Sequence, residues 1–257
     1  MELLFSDERF EIRLTRDEAD IDAAQKLRYS VFYQEMGALP SEKMKLQNKD
    51  FDEFDKICDH MIVLDLNRDP NDQVVGSYRM LRHEVAITNN GYYSAGEYNI
   101  SNLLDNLENH KACEIGRSCV HPDYRNNQTI QLLWRGLAKY YSKFKLTRIF
   151  GCASFQGNDP KKLSLPLSYL YHYHLAPEKM IVKALDEKYE QMNLMPKSDI
   201  DLRKAIKQVP PLIRAYLRLG GVCGDGAVID NQFNTTDVFL VLAMEDVPEK
   251  YHDYFER

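Results

Sequence analysis

Apolar and polar positions alternate along this chain with two periods. FEIRLT (10–15), HMIVLDL (60–66), QVVGSYRMLRHEV (73–85), ACEIGRSCV (112–120) and RIFGCASF (148–155) read as strands. The second and third are separated by the turn-rich NRDPND, which predicts an antiparallel hairpin. Helical spacing appears from Asp17 or Glu18 to about Gly37, where Ala24, Leu27 and Val31 share a face. It returns in TIQLLWRGLAKYYSKF, with Ile130, Leu133, Trp134, Leu137 and Tyr141 on one stripe. KKLSLPLSYLYHYHLAP and PPLIRAYLRLGG also read as helices, GAVIDNQFNTTDVFLVLAM holds the last strand material, and VPEKYHDYFER reads as a short terminal helix. LPSEKMKLQNKDFDEFDK and NNGYYSAGEYN read as polar connections. Strands mixed with helices in this order predict an α/β (α+β) fold, and the expectation is one domain over residues 1–257.

Composition changes this picture little: 44% hydrophobic, 28% charged, 12 Gly and 10 Pro describe an ordinary folded chain. Charge does more. A net charge of −6 argues against a duplex nucleic acid as partner, because that partner needs a broadly positive face. The five cysteines form no C-x-x-C, so neither a disulfide framework nor a zinc site is expected, and no metal is. The acidic N-terminal stretch does not read as a signal peptide, and no apolar run approaches a membrane-spanning length, so the expectation is cytoplasmic.

Four polar sets carry candidate chemistry. Arg28, Phe32 and Glu35 lie at i, i+4 and i+7, either as a surface Arg–Glu pair or as part of a site. Asp52 and Asp55 in DFDEFDK either hold a cationic ligand or form a solvated acidic loop. Arg79 lies within a strand where an unpaired guanidinium would be costly, so it faces a partner or a cavity. In CEIGRSCVHPDYR, Glu114 and Arg117 would point to opposite faces of a regular strand. A bulge at Gly116 would bring both to one side and leave backbone N–H groups for a ligand. The run that follows sets Arg125 and the amides of Asn126, Asn127 and Gln128 at a helix N-terminus, a ready anion site.

Strand, VHPDYRNNQTI, amphipathic helix and strand together resemble the acyl-pantetheine-binding core of the GNAT acyltransferases. In that superfamily the loop is Gln/Arg-x-x-Gly-x-Gly/Ala. Here Arg125 matches, whereas Gln128 and Ile130 stand where glycines wrap a coenzyme A pyrophosphate. A carrier-protein pantetheine, with one phosphate, needs less of a cradle. RYSVFYQEMG, DEFDKICDHMIV, VVGSYRML, EIGRSCVHPDYR, FGCASFQGNDP and GDGAVIDNQFNTTDVFLVL narrow the match: the chain closely resembles the ornithine–acyl carrier protein N-acyltransferases that begin ornithine lipid synthesis in bacteria. A more distant similarity to acyl-homoserine lactone synthases covers Arg28, Phe32, Asp52, Asp55, Arg79, Glu114 and Arg117.

The resemblance implies a GNAT-like mixed central sheet with splayed strands flanked by helices, and a 3-hydroxyacyl group passing from carrier-borne phosphopantetheine to the α-amine of ornithine, with no bound cofactor. It assigns Glu114 as base, backbone N–H groups near Cys119 and Val120 to the thioester oxyanion, and Arg117, Arg79 and Arg28 to the substrate carboxylate. Phe32 joins them in the acceptor set, and Asp52 and Asp55 face the side-chain ammonium. The acidic carrier would dock on Arg135, Lys139 and Lys143, and the lipid product implies peripheral contact with the inner membrane. Competing readings are acylation of lysine, glutamine or glycine, a lactone synthase-like reaction, a covalent route through Cys119 with His121 as base, and a membrane-perturbing, hemolysin-like protein. His172 and His174, two residues apart on a helix, are read as packing or surface residues.

Overall fold

A computed structural model describes residues 1–107, 111–125 and 127–249. The strands are β1 (Glu2–Ser6), β2 (Phe10–Thr15), β3 (Asp59–Asp65), β4 (Val74–Arg82), β5 (Tyr98–Asn99), β6 (Ala112–Val120), β7 (Arg148–Gln156), β8 (Lys183–Ala184), β9 (Val222–Asp230) and β10 (Thr235–Ala243). The helices are α1 (Glu18–Tyr29), α2 (Glu42–Gln47), α3 (His83–Ala86), α4 (Ser101–Asp105), α5 (Asn127–Phe144), α6 (Ser164–His174), α7 (Leu202–Gln208) and α8 (Pro211–Arg218). The mixed sheet with flanking helices expected from the chain is present. Most of the terminal run VPEKYHDYFER lies outside the described residues, as do Asn126 and the side chain of Asn127.

Residues 1–89 and 115–145 form one compact unit, and 90–114 with 146–249 a second. In the first, β1, β2, β3 and β4 pair antiparallel in sequence order, and the β3–β4 hairpin is the one the NRDPND turn predicts. Asp17 caps α1 by accepting from the N–H groups of Ala19 and Asp20. The apolar face of this helix, Ala24, Leu27 and the following Val31, buries against Ile62, Leu64, Val74 and Cys119. α1 does not run on as a regular helix: Ser30–Glu35 is a π-helix. Its wider turn carries Glu35 off the face of Arg28 and dissolves the expected i, i+7 relation.

α5 covers the same sheet, rotated from its expected stripe. Ile130 is exposed and Trp134 half-buried, while Leu133, Leu137 and Tyr140 are buried. Gly136 explains the rotation. A Cβ there would lie 2.3 Å from Met61 Sδ and 2.9 Å from Ile12 Cγ2, so only glycine lets helix and sheet approach this closely.

In the second unit β7 pairs antiparallel with β10 along all nine residues, and β10 with β9. β6 joins in parallel through Ala112↔Arg148, Cys113↔Ile149 and Glu114↔Phe150. Polar stretches read as connections hold short elements: α2 and a 3-10 turn at Glu53–Lys56 in one, a 3-10 turn at Tyr93–Gly96 and β5 in the other.

Candidate active site

In the first unit three arginines and three aspartates pair with one another. Arg28 sits at the end of α1 with its Nε 2.8 Å from Asp50 Oδ2. Its Nη1 donates to Asp55 Oδ1 at 3.0 Å, and its Nη2 donates to Asp55 Oδ2 at 2.9 Å and to the Asp50 carbonyl at 2.6 Å. Arg79 on β4 donates to Asp52 Oδ1 at 2.5 Å and to Asp55 Oδ1 at 3.2 Å. Arg117 on β6 reaches Asp52 Oδ2 at 3.2 Å and Asp50 Oδ2 at 3.4 Å. The sequence builds this locally: Asp52 and Asp55 form a capping box around the 3-10 turn Glu53–Lys56, which aims both carboxylates at the arginines. Tyr33 donates to Asp50 at 3.0 Å and Gln25 to Asp55 at 3.1 Å.

Exposure orders the set. Arg28 and Asp50 are 1% exposed, Asp55 and Arg79 5%, Arg117 14% and Asp52 23%. Burial alone would raise the Asp55 carboxyl, but Arg28 and then Arg79 bring it far below the usual carboxylate range. Burial holds the neighbouring His60 below its ordinary value, and its Nε2 lies 2.9 Å from the Asp55 carbonyl.

Arg28 is not half of a surface pair with Glu35: Asp50 and Asp55 enclose it and balance its charge. Asp55 is shared between Arg28 and Arg79, and Arg79 is equally buried. Only Arg117 and Asp52 stand at the solvent-facing end. Asp50 was missed because nothing in QNKDFDEFDK distinguishes it from its neighbours before the chain folds. Phe32 packs beside the Ala24–Leu27–Val31 core.

β6 departs from regular pleating where expected: Arg117 has φ 50°, a left-handed backbone that L side chains rarely adopt, next to Gly116. In the second unit Glu114 is buried, and its two oxygens accept from the N–H groups of Tyr93 at 2.8 Å and Ser94 at 2.7 Å. The first amides of the Tyr93–Gly96 turn thus hold the carboxylate in a fixed orientation.

Cys119 is buried in the first unit's core, its Sγ 4.0 Å from the Leu27 carbonyl, and burial pushes its thiol far above the ordinary range. His121 lies beyond the end of β6 and its Nδ1 accepts from the Asp123 N–H at 3.3 Å. A thiolate–imidazole pair is therefore not built, and a covalent route through Cys119 has no support. Arg125 does not sit open at the start of α5. Its guanidinium clasps Glu35 through bonds of 2.5 and 2.7 Å, and Gln128 is exposed. Along α5, Arg135 stacks on Phe5 at 4.0 Å, Lys139 is half-buried and Lys143 pairs with Glu2. His172 and His174 bond to the Met195 carbonyl and the Tyr169 hydroxyl, as packing residues do.

A model of the acetyltransferase (GNAT) domain matches residues 27–135. An L-ornithine N(alpha)-acyltransferase of Agrobacterium fabrum is 46% identical over 248 residues, 95% of this chain and 84% of that protein. Its counterpart in Rhodobacter capsulatus is 39% identical over 250 residues, 96% of this chain and 95% of that protein. The structure of FeeM, an N-acyl amino acid synthase from uncultured soil microbes, superposes with a TM-score of 0.51 at 8% identity, covering 93% of this chain and 94% of that one, which is a likeness of fold. Among the described residues no helix is long and apolar enough to cross a membrane. Identity of this extent with proteins of one activity, together with the GNAT match, makes the chain a member of the L-ornithine N(alpha)-acyltransferase family.

Proposed function

We propose that this enzyme transfers a 3-hydroxyacyl group from acyl carrier protein to the α-amine of L-ornithine. The observation that carries the reading is identity of 39–46% with four L-ornithine N(alpha)-acyltransferases over 95–96% of the chain. In the step itself the amine nitrogen attacks the thioester carbonyl, the C–N bond forms and the C–S bond breaks. The amine proton passes to Glu114, directly or through one water, and the pantetheine sulfur leaves as a thiolate that is then protonated. The N–H groups of Tyr93 and Ser94, one on each oxygen, fix the carboxylate's orientation for that step. The inert Cys119 favours this direct attack over an acyl-enzyme.

Arg117, at the exposed end of its cluster, is the group for the acceptor's carboxylate, and Asp52, with Arg28, Arg79 and Asp55 behind it, holds that guanidinium in position. Gln128 and Ile130 in place of loop glycines favour a carrier-protein donor over coenzyme A. The stripe of Arg135, Lys139 and Lys143 on α5 supplies positive charge for an acidic carrier. The amphiphilic product favours peripheral association with a membrane.

The test is a product assay by mass spectrometry with one 3-hydroxyacyl carrier protein and ornithine, lysine, glutamine and glycine. Nα-acylornithine should dominate, and Glu114→Gln should lower kcat by roughly 10²–10⁴-fold while leaving the fold intact. Preferential acylation of another amino acid would overturn the acceptor assignment. A Glu114→Gln rate within a few-fold of wild type would remove Glu114 from the chemistry.

A further inference from the structure

One face of the second unit's sheet carries groups that the transfer step leaves unused. Residues in register across strands share a face, as do residues two apart along one strand. Glu114 is registered with Phe150, Cys152 with Phe239 and Thr235 with Asp230. A single face therefore runs from Glu114 across Cys152 and Phe239 to Asp237, Thr235 and Asp230. Glu97 reaches this face from above, since Cys152 Sγ donates to Glu97 Oε2 at 3.3 Å. Glu97 directly follows the Tyr93–Gly96 turn, whose first amides hold Glu114.

Carboxylate oxygens of Glu97, Asp230 and Asp237 all lie within 4.8 Å of one another. Three points so spaced lie within about 2.8 Å of a common centre, the length of a charge-assisted N–H···O bond. One ammonium nitrogen, with its three N–H donors, meets all three. A second, independent observation comes from Thr235. It is 2% exposed and its Oγ1 is buried with no hydrogen-bond partner among the described residues, on the same face as Asp237 and in register with Asp230. A buried hydroxyl without a partner costs free energy that a bound polar group would recover. Next to the carboxylates stands an apolar wall, Tyr98 against Phe239 at 5.2 Å and Phe239 against Phe150 at 5.7 Å, suited to a methylene stem rather than to a hydrated metal ion. Burial, and then the charge of Asp237, push the Glu97 carboxyl up to about 7, against a smaller lowering by the Cys152 bond and by Lys188. Glu97 and Asp230 are only half-buried, so a ligand has access.

We propose that Glu97, Asp230, Asp237 and Thr235 bind the side-chain ammonium of a diamino-acid acceptor, and so select ornithine over amino acids with uncharged side chains. The inference rests on the acceptor reading above and moves the ammonium site away from Asp52 and Asp55. The test compares Glu97→Gln and Asp230→Asn with wild type on ornithine and on norvaline, which has the same carbon chain without the side-chain amine. The ornithine-to-norvaline ratio of kcat/KM should fall roughly 10–100-fold in each variant. Calorimetric titration with 1,4-diaminobutane, which needs no turnover, should give binding to wild type that both variants lose. An unchanged selectivity ratio overturns the proposal, as does equal loss on both substrates. Tight binding of calcium, magnesium or manganese ions that the variants abolish would make this a metal site and equally overturn it. If ornithine is not acylated but diaminobutane still binds in a Glu97-dependent way, the acceptor reading fails and the ammonium site stands.

Discussion

Replacing Arg28 with methionine separates a structural from a substrate-binding role for the arginine cluster. The substitution removes a guanidinium that is 1% exposed and leaves Asp50 and Asp55, both buried, without their main partner. Breaking a buried ion pair by removing one partner costs about 3–5 kcal/mol. The lower end applies, because Asp55 keeps Arg79 at 3.2 Å and Asp50 keeps Tyr33 at 3.0 Å and Arg117 at 3.4 Å. In a chain of this size each kcal/mol moves the melting temperature by about 2–4 °C, so Arg28→Met should lower Tm by about 6–12 °C. Adding Asp55→Asn should recover part of the loss, since the second change removes the stranded charge, and the double-mutant cycle then reports the coupling. The assay is thermal unfolding followed by circular dichroism, paired with steady-state kinetics over an ornithine titration. A Tm within about 2 °C of wild type together with a more than tenfold rise in ornithine KM would refute the argument and return Arg28 to the substrate.

Other outcomes follow from the same geometry. Gly136→Ala should destabilise by about 1–3 kcal/mol through overpacking against Met61 and Ile12, despite alanine's higher helix propensity, and Gly136→Ala with Met61→Ala should regain part of it in urea unfolding. Because the folded-state Asp55 carboxyl lies far below its unfolded value, its contribution is fully present above about pH 4 and is lost as pH falls below that. Asp55→Asn should therefore flatten the acid limb of a stability–pH profile, and an unchanged limb would count against the ion-pair assignment. If α5 docks an acidic carrier, Arg135→Glu with Lys139→Glu should raise KM for the carrier while ornithine KM stays nearly constant. Rates should then fall as added salt shortens the screening length to about 8 Å at 0.15 M; salt-insensitive rates with efficient acyl-coenzyme A use would remove that surface from donor recognition.

Local pattern was enough for the elements that bury one continuous face. The alternation in HMIVLDL and QVVGSYRML, with a turn between, determines a hairpin because side-chain direction in a strand has period two. The Ala24–Leu27–Val31 spacing determines which side of α1 meets it, and Gly116 marks where β6 loses its pleat, as the left-handed Arg117 bears out. The motifs along the chain also carried the family, since the residues of β6 and of the loop after it are adjacent in sequence. What the pattern left undecided depends on groups far apart along the chain. Arg28 and Asp55 are 27 residues apart, so whether a guanidinium meets a carboxylate or a substrate is decided by which loop folds over it. The rotation of α5 follows from the Met61 and Ile12 side chains against Gly136, which no helical wheel contains. Glu97, Asp230 and Asp237 read singly as ordinary acidic residues of a connection and of two strands. Register across β9 and β10, and the turn that carries Glu97 onto their face, make them one site, because carboxylates act together only when folding brings their oxygens within a few ångströms.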